Sequence, residues 1–338
     1  MLPIKSETRE PQDKWIPMQQ DNCINNRIHQ AVGDETGKSF DPRYLAAKKG
    51  VDDLALNHHV WETLRLALPQ TAGSEPVNIL EIGTGIGTML ERIVDRGLLT
   101  GPAIYVGADY DPGQLRAARS YLSQWASRQG HSLSWSGEHR ARLLTANADV
   151  SLLLILARAE ELADRSDIPG QFHLMIAHAV LDLIDFPAVL PQLLSRLKNN
   201  GLAYLTCNFD GETFFLPECD GEEEIVRLYH ASMEARLTGA SHTGRRLLTF
   251  LQRPGLELLA AGSSDWVIHP RQTGYYRDES FFLHAIIATV ERELAKKNSP
   301  PSDLAAWARL RHLQVETGEL SFLARHLDFL ARRHPSLP

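Results

Sequence analysis

Cysteine is scarce, with only Cys23, Cys207 and Cys219 in 338 residues. Three scattered thiols build no disulfide framework and no close ligand pair, which points to a reducing compartment. Long apolar runs are also missing. None approaches the roughly 20 residues that span a bilayer, so no membrane segment is expected. The first residues are polar, with Pro3, Glu7, Glu10 and Pro11, and hold no apolar signal-peptide core. A cytoplasmic protein is the expectation. Positive charge is in deficit, at a formal net charge of -7, which argues against broad nucleic-acid affinity. There is no internal repeat and no low-complexity stretch. The whole sequence is 43% hydrophobic and 23% charged, ordinary for a globular chain. Its length suits one large domain with additions or two small ones.

What is present centres on residues 77–87, Val-Asn-Ile-Leu-Glu-Ile-Gly-Thr-Gly-Ile-Gly. The apolar, β-branched run 77–82 predicts a buried strand, and the spacing over 88–94 predicts a helix. Between them Gly83, Gly85 and Gly87, with Thr84, form a loop whose bare backbone lets a ligand lie close. Strand, glycine loop and helix make half of a nucleotide-binding unit. The spacing is G-x-G-x-G, not the G-x-G-x-x-G of dinucleotide folds. Glu81, two residues ahead of the first glycine, would repel a pyrophosphate but suits an ammonium and a sulfonium. A second apolar strand, 103–108, ends at Asp109, placed to accept both hydroxyls of a ribose.

Glu81-x-Gly83-x-Gly85-x-Gly87 resembles motif I of the class I S-adenosylmethionine (SAM)-dependent methyltransferases. The resemblance covers about residues 77–269. It implies an α/β fold, a seven-stranded doubly wound (Rossmann-like) sheet, mostly parallel with one antiparallel strand. The implied cofactor is S-adenosyl-L-methionine, leaving as S-adenosyl-L-homocysteine (SAH), with no metal. On this resemblance Asp109 holds the ribose and Tyr110 lies against the adenine. Asp149, just past the third strand at 141–146, caps the adenine amino group, and Val150 offers its N–H to the ring. Asp149 also suits the cap of a helix over 151–163. Helices before motif I often close over the cofactor in this family, so Arg43 and Tyr44 become candidates for its carboxylate.

The fourth strand, 171–177, ends at His178, which on the same resemblance faces the transferable methyl. An imidazole with an ordinary pKa near 6.5 can take a proton near neutrality. Asp182, four residues on, could orient it through a helical turn. The other reading makes His178 a pocket wall. A fifth strand at 202–207 is followed by an expected lid insertion, about 209–243. Asn208, Phe209, Tyr229, His230, Met233 and Arg236 are the candidate substrate contacts there, with Tyr275 and Tyr276 from a later loop. His58-His59 is not a metal pair, because neighbours on a helix point to different faces.

Elsewhere the pattern predicts a mobile arm over 1–38, two helices within 39–70, a methyltransferase core over 71–270 and a helical extension over 271–338. Residues 113–128 read as a helix, and 131–140 as a strand or hairpin. Asp185 opens a helix that stops near Gly201, and residues 225–237 and 244–251 are two more. Residues 256–262 and 265–269, joined by Ser263-Ser264, read as an edge hairpin, and 278–297, 302–316 and 321–333 as helices. The expected reaction is methyl transfer to an oxygen or nitrogen of a small molecule, without nucleic-acid or membrane partners. Homodimer contacts stay open, as do a protein or tRNA methyltransferase and a non-catalytic SAM-binding regulator.

Overall fold

The computed structural model describes residues 40–68, 75–237 and 239–334. The arm expected over 1–38, with Trp15, Ile16 and Met18, lies outside the described residues. Helix α1 (Pro42–Ala55) starts at N-cap Asp41, whose carboxylate accepts the Arg43 N–H, with Pro42 in the first turn. Helix α2 (His58–Ala67) is capped by Asn57 and ends before Pro69. Strand β1 (Val77–Ile82), helix α3 (Thr88–Asp95), strand β2 (Gly101–Asp109) and helix α4 (Pro112–Gln129) follow.

Strands β3 (Ser132–Trp135) and β4 (Arg140–Leu144) form an antiparallel hairpin, and β5 (Ala148–Leu156) lies parallel to β2. This corrects two expectations. Residues 141–146 supply an antiparallel strand, β4, and the helix expected over 151–163 begins as the end of strand β5 and continues as a loop with a short 3-10 turn at Ala159–Glu161. A short apolar run such as Leu152–Leu156 suits a buried strand as well as a helix, and periodicity does not separate them.

Strand β6 (Phe172–His178), helix α5 (Phe186–Ser195) and strand β7 (Leu197–Leu216) come next. After helices α6 (Glu222–Arg236) and α7 (Thr243–Leu251) lie strands β8 (Leu256–Ser263) and β9 (Trp266–Ile268). Helices α8 (Glu279–Ala295) and α9 (Leu304–Glu316) precede strand β10 (Ser321–Arg333).

Sheet order is β3-β4-β5-β2-β1-β6-β7-β10-β8, with β9 also on β10. The run from β5 to β8 holds seven strands of one direction except β10. Chain order reverses at β1, with β2 and β5 stepping one way and β6 and β7 the other. This is a doubly wound α/β sheet, and the crevice at its strand C-termini beside β1 is where such sheets bind ligands.

Three further corrections concern β10. Residues 321–333 form a strand, not the last helix. Its bulges at Ala324/His326 and Leu327/Phe329 interrupt a period of two, while Leu323, Leu327 and Leu330 mimic a helical stripe. Strands β8 and β9 pair with β10, not with each other. The fifth parallel strand does not leave the sheet at Asn208 but runs to Leu216 along β10. Two apolar layers cover the main sheet, around Trp125 and Leu64 on one face and Phe172 and Leu190 on the other. A third, with Phe282, Trp307 and Phe215, sits under α1, α8 and α9. Among the described residues no helix is long and apolar enough to cross a membrane.

Candidate functional site

The glycine loop turns off β1 with Gly83, Gly85 and Gly87 at φ of 70°, 51° and 86°. All three are left-handed, a conformation cheap only for glycine. The Thr84 N–H donates to the Ala108 carbonyl at 2.9 Å and the Gly85 N–H to Asp109 Oδ2 at 2.8 Å, so the loop is tied to the end of β2. A Cβ on Gly83 would stand 2.7 Å from Val180 Cγ2, one on Gly85 3.1 Å from Leu45 Cδ1, and one on Gly87 3.0 Å from Leu122 Cδ1. The loop is therefore walled by the turn after β6, by α1 and by α4. Asp109 is buried, and its Oδ1 accepts the Asp111 N–H at 3.0 Å. Burial raises its carboxyl above the usual range, against those backbone hydrogen bonds. Each oxygen keeps a lone pair for a further donor.

Glu81 is buried and bonded within the protein. Its Oε2 accepts the Thr84 hydroxyl and, at 2.6 Å, the Tyr105 hydroxyl. Burial lifts its carboxyl to about 7, against these hydrogen bonds. Because the folded value is above the ordinary 4.5, the wild type loses stability as pH rises from 4.5 through 7. Glu81→Gln, always neutral, is expected to gain on the wild type by about 2 kcal/mol between pH 5 and pH 8 in urea unfolding. A difference that stays constant with pH would contradict this.

Tyr110 is 46% exposed at the end of β2, with the Arg158 guanidinium 5.9 Å from its ring centre. Arg158 follows β5, the strand whose end adjoins Asp109 through the Ala157 N–H. Asp149 and Val150 sit at the other end of β5. Asp149 is in register with Pro102, seven residues from the Asp109 level, or about 23 Å along the strand. It forms a two-point ion pair with Arg142. The adenine assignment of Asp149 and Val150 is thereby overturned, because the third parallel strand begins where it was expected to end.

His178 closes β6, but both ring nitrogens are engaged. Nδ1 lies 2.8 Å from Thr206 Oγ1 and Nε2 2.9 Å from Asp52 Oδ2. Burial pushes the imidazole down to about 4, against the attraction of Asp52. Both ring nitrogens are therefore hydrogen-bonded within the protein. Its orienting acid is Asp52 of α1, not Asp182. Asp52 is buried, and its carboxylate also takes Lys48 Nζ at 2.6 Å and the Trp266 indole N–H at 3.0 Å. Burial works against its charge, yet Lys48 and His178 hold its carboxyl well below the usual range. Lys48, Trp266, Thr206 and Asp52 escaped sequence reasoning. One signal was there: Lys48 and Asp52 are four apart in the buried stripe Tyr44, Ala47, Lys48, Val51, Asp52.

Asp52, His178 and Cys207 place one ligand atom each within 4.8 Å of one another. As a metal set they fit poorly. Lys48, Trp266 and His178 occupy the Asp52 carboxylate, the Lys48 ammonium would repel a cation, and burial pushes the Cys207 thiol well up.

The remaining candidates divide. Arg43 is half-exposed, pairs with Asp278 at 2.7 Å and lies over the Phe281 ring. Tyr44 stacks between Phe40 and Phe282. Asn208 donates to the Leu205 and Leu327 carbonyls, and Phe209 packs edge-on against His230 and His326. Tyr275 donates to the Leu320 carbonyl, and Tyr276 lies between Arg271 and Arg277. Met233 is buried in the third apolar layer. Arg236 pairs with Glu293 at 3.7 Å. Asp182 stands on the short turn Leu181–Leu183 that packs against Ala240–His242. Burial raises the Tyr44 and Tyr229 hydroxyls above their usual range, with smaller contributions from nearby acids, Asp182 among them.

No protein-family model matches the chain. No curated protein matches it in sequence. Solved structures do resemble it in shape. A putative type II methyltransferase from Anaeromyxobacter dehalogenans is 17% identical with a TM-score of 0.43, the match covering 83% of this chain and 97% of that one. A SAM-dependent methyltransferase from Thiobacillus denitrificans, in complex with SAH, is 13% identical at a TM-score of 0.40, covering 84% and 97%. The plantazolicin methyltransferase BpumL, in complex with SAH, is 16% identical at a TM-score of 0.38, covering 94% and 99%. At these identities and scores the likeness carries no argument about activity.

Proposed function

We propose that the chain is a SAM-dependent methyltransferase acting on an oxygen or nitrogen of a small molecule. The observation that carries this reading is the loop of three left-handed glycines tied by the Gly85 N–H to Asp109. It sits at the switch point of a doubly wound sheet, where a ligand's backbone-facing edge and its ribose would meet. The residues fit the group: the three glycines leave the loop backbone without side chains, and Asp109 has acceptor capacity left. Gly83, Gly85 and Gly87 would hold the amino-acid end, Asp109 the ribose, and Tyr110 with Arg158 the base. Bound there, the cofactor supplies a methyl on a good leaving group, a sulfonium sulfur. The chain's own contribution is then alignment and exclusion of water, which bring large rate gains when reacting atoms are held about 3–3.5 Å apart.

The Asp52–His178–Thr206 chain fixes the floor of this space, and the net charge of -7 favours a small acceptor over RNA. Incubation with methyl-labelled SAM and separate small-molecule, RNA and protein fractions should put label in the small molecules. Asp109→Ala is expected to weaken SAH binding by about 10- to 100-fold in calorimetry, through lost charge-assisted hydrogen bonds and a loosened Gly85. Unchanged affinity would put the ribose elsewhere. Label in RNA or protein alone would overturn the small-molecule reading.

A further inference from the structure

We infer that Asp182 is the substrate-recognition carboxylate of this site and that the acceptor it takes is an amine arriving as its ammonium; this inference rests on the methyl-transfer reading above. The position comes first. Val180, two residues earlier in the same turn, is the side chain that a Cβ on Gly83 would strike, so the turn carrying Asp182 abuts the glycine loop. The same turn packs against Ala240–His242, the link between α6 and α7. Asp182 thus stands at the strand C-termini, between the cofactor loop and the link that joins α6 to α7.

The second observation is an unmet bonding capacity. Asp182 Oδ1 is buried without a hydrogen-bond partner, and it is the one carboxyl oxygen so placed among the described residues. Burial raises the carboxyl to about 6, against the pull of its own backbone N–H and of Lys48 and Arg236. Neither cation bonds it: Lys48 is bonded to Asp52 and Arg236 lies 3.7 Å from Glu293. The other acids around the strand ends have partners, Asp52 through Lys48, His178 and Trp266, and Asp210 through Arg245.

A buried carboxylate without a donor is costly, and a cation offsets that cost far better than a neutral hydroxyl. Transfer of one proton from the ammonium to Asp182 Oδ1 breaks an N–H bond and forms an O–H bond. The electron pair stays on nitrogen, as methyl acceptance requires.

The test is calorimetric titration of the full chain, with and without SAH, using benzylamine against benzyl alcohol and butylamine against butanol. At least one amine should bind about 10-fold more tightly than its alcohol, and Asp182→Asn should bring the pair to within about twofold. Equal binding within each pair, no amine binding, or a preference that survives Asp182→Asn would overturn the inference. The wild-type amine–alcohol comparison decides without the variant. SAH affinity reads out separately: SAH binding with no amine preference sinks the inference alone, and failure of SAH to bind sinks the methyl-transfer reading beneath it.

Discussion

Gly83→Val is expected to abolish SAH binding in calorimetry and to lower unfolding stability by about 2–4 kcal/mol. Two effects add. Gly83 has φ of 70°, where a β-branched residue is strained, and its new Cβ would lie 2.7 Å from Val180 Cγ2. Relief requires the loop to lift or the turn carrying Val180 and Asp182 to retreat, and either movement removes the seat for a ligand. Gly97→Ala is the matched control. Gly97 has φ of 65° but nothing within 4 Å of a built Cβ. It should cost only the backbone strain, about 1 kcal/mol, with SAH affinity unchanged. Equal SAH affinity in Gly83→Val and wild type would remove the loop from the cofactor site.

The second large effect belongs to Asp52. Asp52→Ala is expected to destabilise the chain by about 3–5 kcal/mol, because it leaves the buried Lys48 ammonium without its carboxylate. The Lys48 and Asp52 side chains are only 10% and 3% exposed, so solvent screens the pair little. His178 loses the acceptor on Nε2 and Trp266 the acceptor on its indole N–H. The double variant Lys48→Met with Asp52→Leu should recover much of the loss, since removing both charges removes the uncompensated one. Urea midpoints at pH 7 would show it. A loss below about 1 kcal/mol in Asp52→Ala would mean that the ion pair is solvated.

The parts of this site that were legible in the sequence are the local ones. Strand β1, the glycine loop, α3 and β2 lie within residues 77–109, and their signals are apolar periodicity and glycine spacing. The helix cap at Asp41, followed by Pro42, is equally local. What escaped depends on distant pairing. Strand β10 is a strand because β7, more than a hundred residues earlier, and β8 lie on its two sides. Its bulges hide the alternation that would have marked it.

The misplaced third strand had a functional consequence. Reading 141–146 as parallel moved Asp149 to the ligand end, whereas β5 carries that end to Leu156 and Arg158. Glu81 shows a different limit. Its position in the motif was visible, but its direction, down to Thr84 and Tyr105, is a matter of packing. The partner of His178 is likewise 126 residues away on α1. Sequence proximity favoured Asp182, which packing instead leaves with a free oxygen.

The most direct measurement is a calorimetric titration of the purified chain with SAH, with NAD and with inorganic phosphate. The expected outcome is saturable binding of SAH, weakened in Asp109→Ala, with no heat from the other two. NAD or phosphate binding at the glycine loop, or a flat SAH titration, would contradict a cofactor seat built from Gly83, Gly85, Gly87 and Asp109.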